Sequence, residues 1–146
     1  MIKSTIYIDA DACPVKDEII KVAVRHGVSV FMVCNGGIRP FKNDLIKLVI
    51  VNEGADEADK WIYDNINEGD VAITVDIPLA AKCIEKKAFV IKHDGVFLTR
   101  DNIGNILATR DLMSDLRSSD PFLKGGNKPF SKNDKGKFLN SLETLL

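Results

Sequence analysis

Short and almost uninterrupted runs of apolar residues alternate along this chain with segments of helical periodicity. The first run covers residues 6–8, apolar residues at helical spacing follow between Val15 and Ala23, and a second run covers 28–33. Continuous apolar strands are typical of a parallel sheet covered on both faces, because a half-exposed strand would alternate apolar with polar residues. The pattern therefore predicts an α/β fold, a three-layer α/β/α sandwich with a mostly parallel central sheet.

The same alternation continues to the end of the chain. Further strands are predicted at 48–51, 71–75 and 89–91, and further helices at about 55–65, from Pro78 onward, at about 100–116 and at 131–146. Pro14 and Pro78 are expected to begin helices, because the first helical turn does not use the N–H that proline lacks. A Gly/Pro-rich loop is expected at 118–130, and the length of 146 residues suits one domain over 1–146.

Charge and cysteine content narrow the range of partners and compartments. The formal net charge of -1 gives no global basic field, so a nucleic-acid partner would require a local basic patch. No apolar run approaches the roughly 20 residues that span a membrane. Cys13, Cys34 and Cys83 are odd in number and widely spaced, which fits neither a disulfide framework nor a zinc site. We therefore expect a cytoplasmic protein without a membrane partner.

Carboxylates stand where two of the predicted strands end. Asp9 and Asp11 follow the first strand, and Asp76 follows the fourth. In parallel α/β sheets, ligands bind beyond the carboxyl ends of the strands, near the point where the strand order reverses. Asp76 is equally well explained as a helix N-cap. Asp9 and Asp11 are harder to explain structurally, because neighbouring carboxylates repel unless a cation or a proton lies between them.

A further carboxylate, Asp59, lies on the face of a predicted helix that is otherwise apolar. It shares that face with Ile62 and Ile66 by the period of about 3.6 residues, and Asp56 flanks the same face. A carboxylate on a core-facing stripe is costly unless it is paired or bound to a metal. A buried ion pair and a stripe edge that reaches water are the structural alternatives.

An oxygen-only site would form if these side chains converge. The candidate metal ligands are Asp9, Asp11, Asp56, Asp59 and Asp76, and all of them except Asp56 are also candidate catalytic residues. Hard oxygen ligands suit Mg²⁺ or Mn²⁺, and such ions activate water and neutralise charge on a phosphodiester. The acids therefore predict a divalent-metal site that acts on phosphate esters.

Basic and amide side chains are candidates for holding the phosphate backbone of a substrate. Arg110 falls on an otherwise apolar helical stripe, where its planar guanidinium would either pair with an acid or face a phosphate. Asn35 and Arg39 lie on the loop after the second strand and would contact phosphate or merely solvate the loop. Lys128 belongs to a lysine-rich C-terminal segment, which is compatible with a nucleic-acid backbone or with an ordinary solvated surface.

The remaining reactive side chains are better explained by structure. Cys13 is expected at the start of the first helix, where the helix dipole lowers a thiol pKa, but the adjacent acids oppose a thiolate. We therefore favour packing or capping over catalysis for Cys13. His26 is expected at a helix end, and His93 is expected on the surface.

Several motifs together resemble a known family. Residues 9–16 (DADACPVK), 54–62 (GADEADKWI), 74–80 (TVDIPLA) and 125–130 (GGNKPF) resemble signatures of the YaiI/YqxD family of uncharacterised bacterial proteins. The resemblance covers essentially the whole chain. The family is grouped with the PIN-like domains, many of which are metal-dependent ribonucleases, so the resemblance implies a PIN-like fold and a nuclease activity.

The resemblance also implies roles for particular acids. Asp9 would correspond to the acid after the first strand, Asp59 to the helical acid, and Asp76 to the later strand-end acid. The fourth acid stays open among four candidates, which are Asp11, Asp56, Asp94 and Asp101.

Three functions follow from these observations as alternatives. The leading one is a nuclease that depends on Mg²⁺ or Mn²⁺ and acts on RNA. The second is an aspartyl phosphatase of the haloacid-dehalogenase type, because Asp9 and Asp11 have the spacing of its nucleophile and its acid/base. The third is a non-catalytic module that binds RNA or protein on the same fold.

Overall fold

The computed structural model describes residues 4–10, 13–40, 42–54, 57–105 and 131–146. Its strands are β1 (Ile6–Asp9), β2 (Val30–Cys34), β3 (Ile46–Ile50), β4 (Val71–Ile73), β5 (Phe89–Ile91) and β6 (Phe97–Leu98). Its helices are α1 (Lys16–His26), α2 (Glu57–Asn65), α3 (Ile77–Glu85), the helical residues 100–105 (α4) and α5 (Lys132–Leu145).

The strands form a single sheet in the order β3-β2-β1-β4-β5-β6. Strands β1 to β5 are parallel to their neighbours, and β6 pairs antiparallel with β5. The chain runs from β1 outward to β3 and then returns to β4, so the strand order reverses between β1 and β4. The crevice for a ligand in such a sheet lies beyond the carboxyl ends of these two strands.

Helices cover both faces of the sheet. On one face, Ile8, Met32 and Ile73 pack with α1 and with Phe138 and Leu142 of α5. The opposite core contains Tyr7, Val33 and Ala72, together with apolar residues of α2 and α3. Successive residues of one strand enter opposite cores, as the geometry of a strand requires. The three-layer α/β/α fold with a mostly parallel sheet is confirmed.

Helix α1 begins later than predicted. Pro14 lies in a turn, and Lys16 is the first helical residue. The N-cap, Val15, makes no side-chain capping hydrogen bond, so acidic residues in the first turn, Asp17 and Glu18, supply the favourable charge there. The prediction that Pro14 starts the helix is therefore wrong by two residues.

The C-terminal helix α5 is held at its start and along its length. Ser131 and Asp134 form a reciprocal capping box, with hydrogen bonds of 3.1 and 3.2 Å between side chains and backbone N–H groups. Lys135 Nζ lies 2.6 Å from Glu18 Oε1 of α1. These contacts confirm the predicted helix and attach it to α1.

The hairpin between β5 and β6 also contacts α5. A Cβ atom added to Gly95 would lie 2.6 Å from the backbone of Lys137, so only glycine permits this approach. Ser141 Oγ donates a 2.6 Å hydrogen bond to the Gly95 carbonyl. Across the described ranges, no helix is long and apolar enough to cross a membrane.

Candidate functional site

Asp9 is the last residue of β1 and lies at the point where the strand order reverses. Its side chain is half-buried. Tyr7, two residues earlier, belongs to the core beneath α2 and α3, so alternation along the strand places Asp9 on the same face. The first strand-end acid is thus in the crevice where this class of sheet binds ligands.

Thr74 directly follows β4 and contacts Asp9. Ile8 and Ile73 are partners in the β1–β4 register, so the next residues of the two strands, Asp9 and Thr74, lie side by side. The Thr74 hydroxyl donates a 3.3 Å hydrogen bond to Asp9 Oδ2 and accepts a 3.0 Å hydrogen bond from the Asp76 N–H. Thr74 is 1% exposed. Our sequence reasoning missed this residue, although a hydroxyl at the end of an apolar strand was a usable signal.

Asp76 is the N-cap of α3. Its Oδ1 accepts a 3.0 Å hydrogen bond from the Leu79 N–H, and its backbone is extended, with φ -78° and ψ 107°. The capping alternative for Asp76 is therefore correct as a description of its contact. Strand β4 ends at Ile73 rather than at Val75, because the turn that presents Asp76 begins with the Thr74 side chain.

Asp59 lies on α2, at the margin of the apolar stripe. Its neighbours Ala58 and Ile62 are buried, whereas Asp59 itself is half-buried, as expected for a stripe edge that reaches water. Its charge is felt by Cys83 of α3. Burial raises the pKa of the Cys83 thiol to about 11, the charge of Lys86 acts to lower it, and the Asp59 carboxylate adds a smaller increase. Asp59 therefore belongs to the same side of the sheet as Asp9, between α2 and α3.

Four predicted site residues lie outside the described residues, namely Asp11, Asp56, Arg110 and Lys128. The predicted loop at 118–130 and most of the helix predicted at 100–116 lie outside them as well. Within the described ranges, no three His, Cys, Asp or Glu side chains form a group that could hold a metal ion. Asp9, Asp59 and Asp76 alone therefore do not make a complete metal cage.

The two described substrate-binding candidates lie on the connection from β2 to β3. Asn35 follows β2 directly, and its Nδ2 donates a 3.3 Å hydrogen bond to the Asn52 carbonyl beyond the end of β3. Asn35 is therefore at the carboxyl edge of the sheet. Arg39 is exposed, and the adjacent Ile38 packs into the core on the α1 side. A role in binding substrate stays a prediction for both Asn35 and Arg39.

The Cys13 thiol is shielded from solvent. Burial raises its pKa to about 11, and the Asp9 carboxylate adds to this effect. Cys13 precedes α1 by three residues, and a hydrogen bond with the Val15 backbone and the charge of Lys16 only partly offset the increase in its pKa. The burial of Cys13 agrees with the packing role that we favoured, and the raised pKa keeps the thiol protonated at neutral pH.

The two histidines have different surroundings. His26, the last residue of α1, places Nε2 2.8 Å from Glu143 Oε2 of α5. His93 is half-buried two residues beyond β5, and burial lowers its pKa. Its Nε2 is shielded from solvent and has no hydrogen-bond partner in the described part of the chain. The expectation that His93 is a surface residue is therefore wrong.

The fold and the edge residues define a class of protein. It is a doubly wound α/β protein that places a half-buried aspartate at the switch point of its sheet. The family model described as "Uncharacterized BCR, YaiI/YqxD family" matches residues 7–146, and the chain belongs to this family.

Relatives from several bacteria support the same assignment. A UPF0178 protein of Roseobacter denitrificans is 57% identical over 143 residues, covering 98% of this chain and 95% of the relative. Another, from Cereibacter sphaeroides, is 59% identical over 141 residues, covering 97% and 87%. A third, from Paramagnetospirillum magneticum, is 46% identical over 141 residues, covering 97% and 93%. The family resemblance is confirmed, and the grouping with PIN-like domains stays a prediction.

No solved structure matches this chain.

Proposed function

We propose that this protein is a PIN-like hydrolase of phosphodiesters, a nuclease that acts on RNA and depends on Mg²⁺ or Mn²⁺. The observation that carries the proposal is the half-buried Asp9 carboxylate at the switch point between β1 and β4. Ligands of doubly wound sheets bind at this position, and a carboxylate there recruits a cation rather than an anion.

The described donors suit a hard divalent cation, but only with further ligands. Mg²⁺ is commonly held by one or two carboxylates, with water and substrate phosphate oxygens in the remaining positions. Asp9 and Asp59 lie on the same side of the sheet, and Asp11 follows Asp9 by two residues. Asp76 caps α3 through Oδ1, and a carboxylate has a second oxygen with which it can bind a cation. The proposed site is thus completed by the substrate.

The chain's own residues would bind and orient the substrate. A cation at this edge would supply neutralisation of phosphate charge and activation of water. Asp9 would hold it together with at most one of Asp59 and Asp76, because these three described acids do not form a group that could hold a metal ion. Asp11 would orient the attacking water. Asn35, Arg39, Arg110 and Lys128 would contact the backbone of the RNA. The three cysteines are free and buried, which supports the cytoplasm as the proposed compartment.

One structural observation favours a second candidate, a non-catalytic module that binds RNA or protein. Asp76 makes a capping contact that accounts for an aspartate at this position without any ligand. In this alternative the fold presents a binding surface, and replacing Asp9 and Asp76 by asparagine leaves binding intact.

The proposal is tested by an RNA-cleavage assay. Purified protein is incubated with unstructured oligoribonucleotides and Mn²⁺, and wild type is compared with Asp9→Asn. We expect cleavage by wild type and its loss in Asp9→Asn. The matched control is Asp64→Asn, because Asp64 is an exposed acid of α2 and its replacement should leave cleavage unchanged.

Two other outcomes identify the alternatives. Phosphate release from an aryl phosphate that Asp9→Asn abolishes would indicate the aspartyl phosphatase instead. RNA binding without cleavage, equally strong in wild type and in Asp9→Asn, would contradict the nuclease and support the binding module.

A further inference from the structure

We infer that Thr74 is a positioning residue that orients the Asp9 carboxylate for a cation at the carboxyl edge. The inference rests on the proposed function, because it concerns the same site. The Thr74 hydroxyl is not itself a proposed ligand. It would set the orientation of Asp9, which is the central proposed ligand.

The hydrogen bonds of Thr74 have a defined direction. A hydroxyl has one proton to donate and two lone pairs that accept. The Asp76 N–H can only donate, so its 3.0 Å contact uses a lone pair of Thr74 Oγ1. The single hydroxyl proton is then directed to Asp9 Oδ2 at 3.3 Å. Asp9 therefore accepts a hydrogen bond from the Thr74 hydroxyl, whose orientation is set by its other hydrogen bond, to the Asp76 backbone N–H.

Packing alone does not explain a hydroxyl at position 74, because the surroundings of Thr74 are apolar and buried. Thr74 is 1% exposed and directly follows a strand whose residues, Val71, Ala72 and Ile73, are all apolar and buried. A valine has a similar shape and would avoid the desolvation of a hydroxyl. The hydroxyl is explained by its two partners, which are the candidate ligand Asp9 and the N-terminus of α3.

The hydrogen bonds of Thr74 also link Asp9 at the end of β1 with Asp76 at the start of α3. Thr74 binds the Asp76 N–H, and the Asp76 side chain caps the Leu79 N–H. The position of Asp9 is thereby coupled to the start of α3, the helix that follows the neighbouring strand β4. Groups that orient metal ligands typically affect metal affinity by about 10–100-fold when they are removed.

Mn²⁺ titration by calorimetry on the full chain tests this inference. Thr74→Val removes the hydroxyl, and Thr74→Ser keeps it. We expect Thr74→Val to weaken Mn²⁺ binding by about 10–100-fold, and Thr74→Ser to restore most of the affinity. The control is Val75→Ala, because Val75 is the adjacent residue, is 52% exposed and makes no part of this connection.

The outcomes separate this inference from the proposed function. Equal affinity of wild type and Thr74→Val would overturn the role of Thr74 and leave the proposed function standing. No saturable Mn²⁺ binding by wild type, with or without an oligoribonucleotide, would overturn both.

A second measurement covers the case in which Thr74→Val does not fold. Thr74→Ala then replaces it as the variant without a hydroxyl, and circular dichroism establishes which variants are folded. Amide hydrogen exchange at Asp76 should be faster in the variant without the hydroxyl than in Thr74→Ser. Unchanged exchange would show that the hydrogen bond is absent in solution and would overturn the inference.

Discussion

Two aspartates lie between β1 and β4, at opposite ends of the same pair of strands, and their surroundings differ. Asp70 precedes β4 at the amino edge, is 9% exposed, and accepts hydrogen bonds from the backbone N–H groups of Thr5 and Asn67 at 3.1 and 3.0 Å. Asp9 ends β1 at the carboxyl edge, is half-buried, and accepts a 3.3 Å hydrogen bond from a side-chain hydroxyl.

The difference separates a structural acid from a candidate functional one. The two oxygens of Asp70 each satisfy a backbone donor, so its charge holds the chain together at the start of the strands. Asp9 lies instead where ligands of doubly wound sheets bind. The same residue type on adjacent strands therefore serves stability at one edge and, in our account, chemistry at the other.

The largest effect on stability should come from Asp70. Asp70→Asn replaces an accepting oxygen by an NH₂ group and leaves one part-buried backbone donor unsatisfied, which should lower the free energy of unfolding by about 2 kcal/mol. Asp9→Asn should change it by less than about 1 kcal/mol, because the asparagine oxygen can still accept from Thr74. Urea denaturation of both variants measures the difference, and equal losses of stability would show that Asp70 has no special structural role.

Substitutions of Asp76 should have an intermediate effect on stability, and they distinguish its capping of α3 from binding of a cation. Asp76→Ala removes the N-cap of α3 and should cost about 1 kcal/mol, whereas Asp76→Asn keeps a cap of similar strength. If Asp76 also binds the cation, Asp76→Asn should weaken Mn²⁺ binding while thermal stability stays near that of wild type. Retained affinity in a stable Asp76→Asn protein would place Asp76 with Asp70, as a structural acid.

The layered fold could be predicted from the sequence, because such a fold depends on apolar runs and helical periodicity, which are visible in the sequence. It did not predict β6, because a two-residue strand has no internal pattern and is defined by its pairing with β5. The start of α1 was placed two residues early, because proline chemistry suits the turn before the helix as well as its first residue. Helix α5 was predicted well, because its start is encoded by the local pair Ser131 and Asp134.

Within the site, strand ends were predictable and side-chain partners were not. Asp9 stands directly after an apolar run, so its position at the edge follows from the sequence. The contact between Asp9 and Thr74 depends on the register between β1 and β4, which are separated by more than sixty residues. The backbone partners of Asp70 likewise come from a turn and from the chain before β1.

The smallest effect concerns the thiol next to Asp9. The pKa of Cys13 is raised from 9.0 to about 11, mainly by burial and partly by the charge of Asp9. Because the pKa of Cys13 in the folded protein exceeds that in the unfolded chain, burial of the protonated thiol contributes fully to the free energy of unfolding below pH 9. This contribution is lost as the pH rises towards 11. Asp9→Asn should slightly lower the pKa of Cys13, which the pH dependence of its alkylation measures. An unchanged pKa would contradict a charged Asp9 beside this thiol.

We expect that the aspartate at the carboxyl edge, Asp9, binds a divalent cation and that the one at the amino edge, Asp70, does not. Calorimetric titration of Mn²⁺ into wild type, Asp9→Asn and Asp70→Asn, each with and without a 2′-O-methyl oligoribonucleotide, tests it most directly. We expect saturable binding by wild type and by Asp70→Asn, and its loss in Asp9→Asn. Binding that survives in Asp9→Asn, or no binding by wild type under either condition, would show that Asp9 is not the ligand of a divalent cation.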